Sequence, residues 1–105
     1  MPKENTAKEI YDEAIVIDAL NVSNWKSPAV YESLAASGTT AINATLVTWE
    51  NFQQTLDTIA DWQDIFRERS AQIIQVNSVD DILKAKQDGK VGVILGWQNA
   101  TPIEN

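Results

Sequence analysis

A chain of 105 residues has room for one modest hydrophobic core, well short of the roughly 250 residues of a closed eight-stranded β/α barrel. With 44% hydrophobic and 22% charged residues, the composition is globular and excludes a disordered or fibrous chain. The net charge of −7 and the scatter of the eight basic residues disfavour nucleic acid and anionic membrane as partners, because both require clustered Lys and Arg.

Cysteine and histidine are both absent. Disulfides, thiolate metal sites and cysteine nucleophiles are thereby excluded within this chain, as are histidine general bases and imidazole ligands. Metal or acid–base chemistry within these residues would fall to carboxylates. No run approaches the ~20 apolar residues that span a bilayer. The start MPKENTAKEIYDEAIVID carries no apolar stretch ahead of a small-residue cleavage site, so the expectation is a soluble, cytoplasmic protein.

Asn5 to Glu13 reads as a short lead-in helix, with Thr6 and Glu9 spaced as a capping box. Ala14–Leu20 (AIVIDAL) is apolar apart from Asp18 and is expected to be a strand buried on both faces. Ser27 and Pro28 mark the N-cap and first turn of a helix to Ser37, which Gly38 ends in a left-handed cap. The β-branched run at 40–48 gives a second strand. A long helix from Asn51 to Glu68 follows, with Phe52, Leu56, Ile59, Trp62 and Phe66 on one face. The third strand spans 73–76. Ser78 and Asp81 then open a helix from Val79 to about Gln87, closed by Gly89, and the fourth strand spans 91–97.

Four apolar strands alternating with helices indicate right-handed βαβ units around a parallel sheet. Such a sheet is either open and doubly wound or part of a closed barrel. The apolar edges of an open four-stranded sheet, and a chain that stops in the loop after a strand, favour an interrupted barrel.

In either architecture the working residues project from the C-terminal strand ends. That selects Asp18 and Asn21, Thr48 and Trp49, Asn77, and Gln98 with Asn99, expected to converge on one face. Each also reads singly as a cap or turn residue. Asp18 within AIVIDAL must be hydrogen-bonded structure or part of a site, since an unpaired buried carboxylate is costly. Gln98 is neutral and suits substrate orientation, not proton transfer. Asp18, Asn21, Gln98 and Asn99 are the expected substrate-binding set, and none is read as a metal ligand. The Asn-x-Ser/Thr triplets at Asn21, Asn43 and Asn99 are chance matches. Trp25, Trp49, Trp62 and Trp97 read as packing residues. The absence of glycine after the first strand excludes a dinucleotide or Walker-type phosphate loop.

The stretches IYDEAIVIDALNVSNW, SGTTAINATLVTWENF and GKVGVILGWQNATPIEN resemble the N-terminal part of the membrane dipeptidase (renal dipeptidase) family, over nearly the whole chain. The resemblance implies the first four βα units of a TIM-like (β/α)8 metal-dependent hydrolase barrel, incomplete in this chain, with residues 1–105 as one partial domain. Members of that family cleave dipeptides with two zinc ions. Their first strand ends in Asp-Gly-His-x-Asp, where this chain has Asp18, Ala19, Leu20, Asn21 and Val22. A later strand ends in Glu-Gly-Gly, where it has Gln98, Asn99 and Ala100. It is therefore similar to a divergent bacterial branch that lacks the usual ligands.

The expectation is a dipeptidase-like front fragment, inactive alone, whose full-length form takes a small peptide or amide substrate. This chain itself carries no cofactor, and zinc is left to later strands. A second chain completing the barrel, or a homo-oligomer, is the expected partner. The alternative is a non-catalytic binding or self-assembly half-barrel.

Overall fold

The computed structural model describes residues 6–104, so the expected helix start at Asn5 lies outside the described residues. The elements run α1 (Ala7–Glu13), β1 (Ile17–Asn21), α2 (Pro28–Ser37), β2 (Ala41–Val47), α3 (Phe52–Glu68), β3 (Ile73–Gln75), α4 (Val79–Asp88) and β4 (Val91–Trp97). No helix among the described residues is long and apolar enough to cross a membrane.

The local signals that set these boundaries are visible in the caps. The Thr6 hydroxyl accepts from Glu9 N at 3.2 Å. Asn51 Oδ1 accepts from Gln54 N at 2.9 Å while Gln54 Oε1 accepts from Asn51 N at 3.1 Å, a reciprocal box that satisfies two free donors of α3. Asp81 Oδ2 accepts from Asn77 N at 2.8 Å and from Ser78 N at 3.2 Å at the start of α4. Gly38 and Gly89 end α2 and α4 at φ 74° and 67°, a region that costs other residues about 1–2 kcal/mol.

All strand pairs are parallel, in the order β1-β2-β4-β3. Alternation and parallel pairing fit a portion of a β/α barrel, but the order does not follow the chain: β4 lies between β2 and β3. The two seven-residue apolar strands take the centre, and three-residue β3 takes an edge, where a short strand exposes the fewest unpaired groups.

Register separates two faces. Ile42 pairs with Val93 and Ala44 with Leu95. These residues pack with Tyr31 and Leu34 of α2 and with Trp62 of α3 in the main core. Trp62 is 1% exposed and lies 5.2 Å from Trp25 and 5.4 Å from Phe66, ring centre to ring centre. On the opposite face Ala41 pairs with Gly92, and a Cβ at Gly92 would stand 2.7 Å from Val76 Cγ2 and 3.6 Å from Ala85 Cβ. Glycine here lets α4 approach the sheet. Lys86 Nζ then ties α4 to the end of α1, donating to Asp12 O at 2.6 Å and Ala14 O at 3.0 Å.

Three sequence expectations are corrected. The first strand begins at Ile17, not Ala14, because Ala14 N caps α1 by donating to Ile10 O, and Val16 O forks to Thr40 N and Ala41 N. It is also not buried on both faces: Ile17 and Leu20 are exposed, because β1 is a sheet edge with no strand beyond it among the described residues. On α3 the buried stripe runs through Thr55, Ile59, Trp62, Ile65 and Phe66, leaving Phe52 and Leu56 exposed. Thr55 is tolerated inside because its hydroxyl donates to Asn51 O at 2.7 Å.

Candidate functional site

Asp18 lies at the second position of β1, opposite Ile42 near the start of β2, so it does not project from the C-terminal end of the sheet. The register shifts between Asp18 and Asn21, which pairs with Ala44. Three residues apart, these two would face opposite sides of a regular strand; the bulge turns both to the α2 side. The Asp18 carboxylate stabilises that bulge, accepting from Leu20 N at 3.2 Å and from Asn21 Nδ2 at 3.0 Å. Ser23 Oγ donates to Asn21 Oδ1 at 2.6 Å. With Ser33, Ser37, Thr39 and Ile42 they line an open cavity of about 450 Å³ between β1 and α2.

Gln98 stands elsewhere. Its backbone N–H donates to Val47 O at 2.9 Å, further along β2 than either Ile42 or Ala44. Its Nε2 donates to Thr45 Oγ1 at 3.0 Å. Thr45 neighbours Ala44 in the strand and so faces away from α2. Asn99 folds on itself, its Oδ1 accepting from Thr101 N at 3.1 Å in an Asx turn. The four expected substrate-binding residues thus form two separate pairs. Asn77 sits at the entry to α4, its N–H held by Asp81.

Four residues, Asn43 within β2 and Glu50, Thr101 and Glu104 in the loops after β2 and β4, were missed from the sequence. Asn43 lies across Gly96, where any Cβ would collide with its side-chain amide. Glu50 curls back so that its Oε2 accepts from Thr48 N at 2.6 Å and Trp49 N at 3.0 Å. These backbone donors, Thr48 first, hold its carboxyl below the usual carboxylate range against a small desolvation effect. Thr101 Oγ1 donates to Glu50 O at 2.7 Å, and Phe52 N donates to Glu104 Oε1 at 3.2 Å, so the loops after β2 and β4 are fastened together. The pattern Glu-Asn-Phe after a strand is a capping signal; nothing local in sequence announces its pairing with residues fifty positions on.

The chemistry available at this end is hydrogen bonding by neutral amides and hydroxyls, beside exposed Trp49 and half-exposed Trp97. Glu50 is a poor proton acceptor, since ionisation is already stabilised by its backbone donors. A two-zinc centre does not fit these residues. Leu20 and Val22, at positions where the resemblance places ligands, are apolar and 61% and 68% exposed. Gln98 offers only a neutral amide, and the Asp18 oxygens already hold the bulge. No three acidic side chains gather to hold a metal ion among the described residues.

The alternating helices and parallel strands, with polar loops at the ends of β2 and β4, have a solved counterpart that supports an amidohydrolase-like relation with a hydrolase-type α/β fold. That structure is an amidohydrolase from Pseudomonas aeruginosa, 38% identical, with a TM-score of 0.89 over 92% of this chain. This chain spans 30% of the length of that one. No protein-family model matches, and no curated protein matches significantly.

Proposed function

We propose that this chain is the front portion of a membrane-dipeptidase-like hydrolase that acts on dipeptides or related amide bonds, and that it is inert by itself. The observation that carries this reading is the 38% identity to an amidohydrolase along 92% of the chain. Inertness is supported by the chain's chemistry: it has no thiol and no imidazole, and no cluster of acidic groups gathers to hold a metal among the described residues, so bond cleavage would draw on groups from elsewhere. Gln98 and Asn99 orient the substrate amide, and Asp18 with Asn21 acts one step removed by shaping the end of β1. Any zinc of the full-length protein rests on residues outside this chain.

The test is a chimera in which this chain replaces its matched segment in the P. aeruginosa amidohydrolase, assayed with zinc on a dipeptide panel. The isolated chain is expected to show no turnover and the chimera little. Restoring ligands by Leu20→His, Val22→Asp and Gln98→Glu together is expected to raise zinc-dependent dipeptide cleavage. A folded, restored chimera that neither binds zinc nor cleaves dipeptides would sink the proposal.

The exposed apolar side chains of β1 favour a second reading, a non-catalytic self-assembly half-barrel. Light scattering separates the two, since a stable homodimer of the isolated chain supports only the second.

A further inference from the structure

Away from the strand ends, an open cavity of about 320 Å³ lies between the loop from β1 to α2 and the helix α3. Trp25 and Lys26 line it from the loop, and Thr58, Asp61, Trp62 and Ile65 line it from α3, so both walls belong to this chain. The loop wall is pre-shaped. Asn24 Oδ1 accepts from Lys26 N at 3.2 Å, Asn24 O accepts from Ser27 N at 3.0 Å, and the Tyr31 hydroxyl donates to Trp25 O. The Trp25 and Trp62 rings, 5.2 Å apart and tilted by 55°, meet as one apolar surface. Three groups here are unspent. Trp62 is 1% exposed, yet its indole N–H has no hydrogen-bond partner among the described residues. No buried side-chain nitrogen among them is sealed from both partner and solvent, so this N–H opens into the space that Trp62 lines. Lys26 and Asp61 bring opposite charges to the two walls, and neither takes part in the ion pairs Lys8–Asp12 and Arg67–Asp64.

We infer that this cavity is a binding site for a free α-amino acid with an aromatic or large aliphatic side chain, held as the zwitterion. The Trp62 N–H and the Lys26 ammonium are donors that suit a carboxylate, while the Asp61 carboxylate suits an ammonium. The indole surface and Ile65 suit a ring or a branched alkyl group. A net anion would be opposed by Asp61 and by the chain's charge of −7, whereas a zwitterion adds no net charge. The volume is at the small end for ligand pockets, with room for one amino acid rather than a longer peptide. None of Asp18, Asn21, Gln98 and Asn99 lines the cavity, and the inference does not rest on the hydrolase reading.

The test is a titration of the isotope-labelled chain with L-phenylalanine, read by NMR on the Trp62 indole N–H, which Trp25→Phe, Trp49→Phe and Trp97→Phe assign by elimination. A saturable shift is expected, with a dissociation constant on the order of 1 mM for so small a ligand. Phenylacetate, which lacks the ammonium, and phenethylamine, which lacks the carboxylate, should each bind about fivefold or more weakly. Lys26 and Asp61 are exposed, so their variants should keep the fold. Lys26→Gln should weaken phenylalanine about threefold and leave phenethylamine unchanged; Asp61→Asn should weaken phenylalanine about as much and bind phenylacetate no worse. No saturable shift at Trp62 overturns the inference. So does phenylacetate or phenethylamine binding as tightly as phenylalanine, or a phenylalanine affinity indifferent to both variants. The same titration in the chimera described above decides the matter where the isolated chain does not fold. Binding by the isolated chain that is lost in the chimera also overturns the inference, since the remaining polypeptide would then fill the cavity. Binding in a chimera that cleaves no dipeptide leaves the site standing and removes only the functional reading.

Discussion

β1 and β2 are both apolar segments ahead of a polar loop, yet Ala41, Ile42, Ala44 and Val47 of β2 are fully buried, whereas Ile17 and Leu20 of β1 are 48% and 61% exposed. The difference is one of neighbours. β2 has a strand on each side and α2 and α3 over one face; β1 has β2 alone. Hydrophobicity recruits a segment into a sheet, but its burial is decided by what the rest of the fold places beside it. The stability of this chain therefore resides in β2, β4 and their helices, while β1 keeps unspent apolar surface.

The sharpest challenge to that contrast is Trp62→Ala. Emptying the aromatic centre between Trp25 and Phe66 should cost about 3–5 kcal/mol, read as a fall in the urea midpoint, which is a large share of the stability of so small a domain. Gly96→Ala should cost about 1–3 kcal/mol by overpacking against Asn43, and Asn43→Ala should recover most of it in the double variant. Strict additivity of the two would break the proposed contact. Gly38→Ala should cost about 1–2 kcal/mol from its positive φ and more than Gly89→Ala, because a Cβ at Gly38 meets Tyr11 Cε1 at 2.9 Å while Gly89 faces open space.

Smaller effects are expected at the loop ends and on β1. Glu50 has a lowered carboxyl pKa, so its contribution is present above the ordinary value of 4.5 and is lost as pH falls through the folded value. Glu50→Gln should thus lower the melting midpoint near neutral pH, and its gap from the parent should close in acid; a constant gap would place the effect elsewhere. Leu20→Ser should change stability by no more than about 0.5 kcal/mol in the isolated chain, measured by the same denaturation. A loss comparable to that of Trp62→Ala would mean that β1 is buried in solution.

Much of the fold was legible because its signals are local. Pro28, Gly38 and Gly89 mark their helix ends, Ser78 and Asp81 box the start of α4, and β4 runs over the expected 91–97. The start of β1 was misplaced because Ala14 serves α1 as a cap, a role that leaves no mark in an apolar run. The strand order was illegible, since sequence position does not say that β4 would enter between β2 and β3. For the candidate site, the residue types at Asp18, Asn21, Gln98 and Asn99 were legible but their grouping was not. A bulge of one register step sends Asp18 and Asn21 toward α2, and no propensity encodes it. Asn43, Thr45 and Glu50 matter through partners about fifty positions away, beyond any window of periodicity.

The Lys86 ammonium, which bridges Asp12 O and Ala14 O across more than seventy positions, bears on the order in which the chain assembles. α1 leaves the ribosome ahead of the other described elements, and Tyr11 can reach Ser37 O once α2 has emerged. Its second anchor exists only after α4 has been made. A seven-residue helix is too short to persist alone in water, so α1, though made before the other described elements, is among the last of them to settle, and a nascent chain cut before Lys86 would carry α1 without its second anchor.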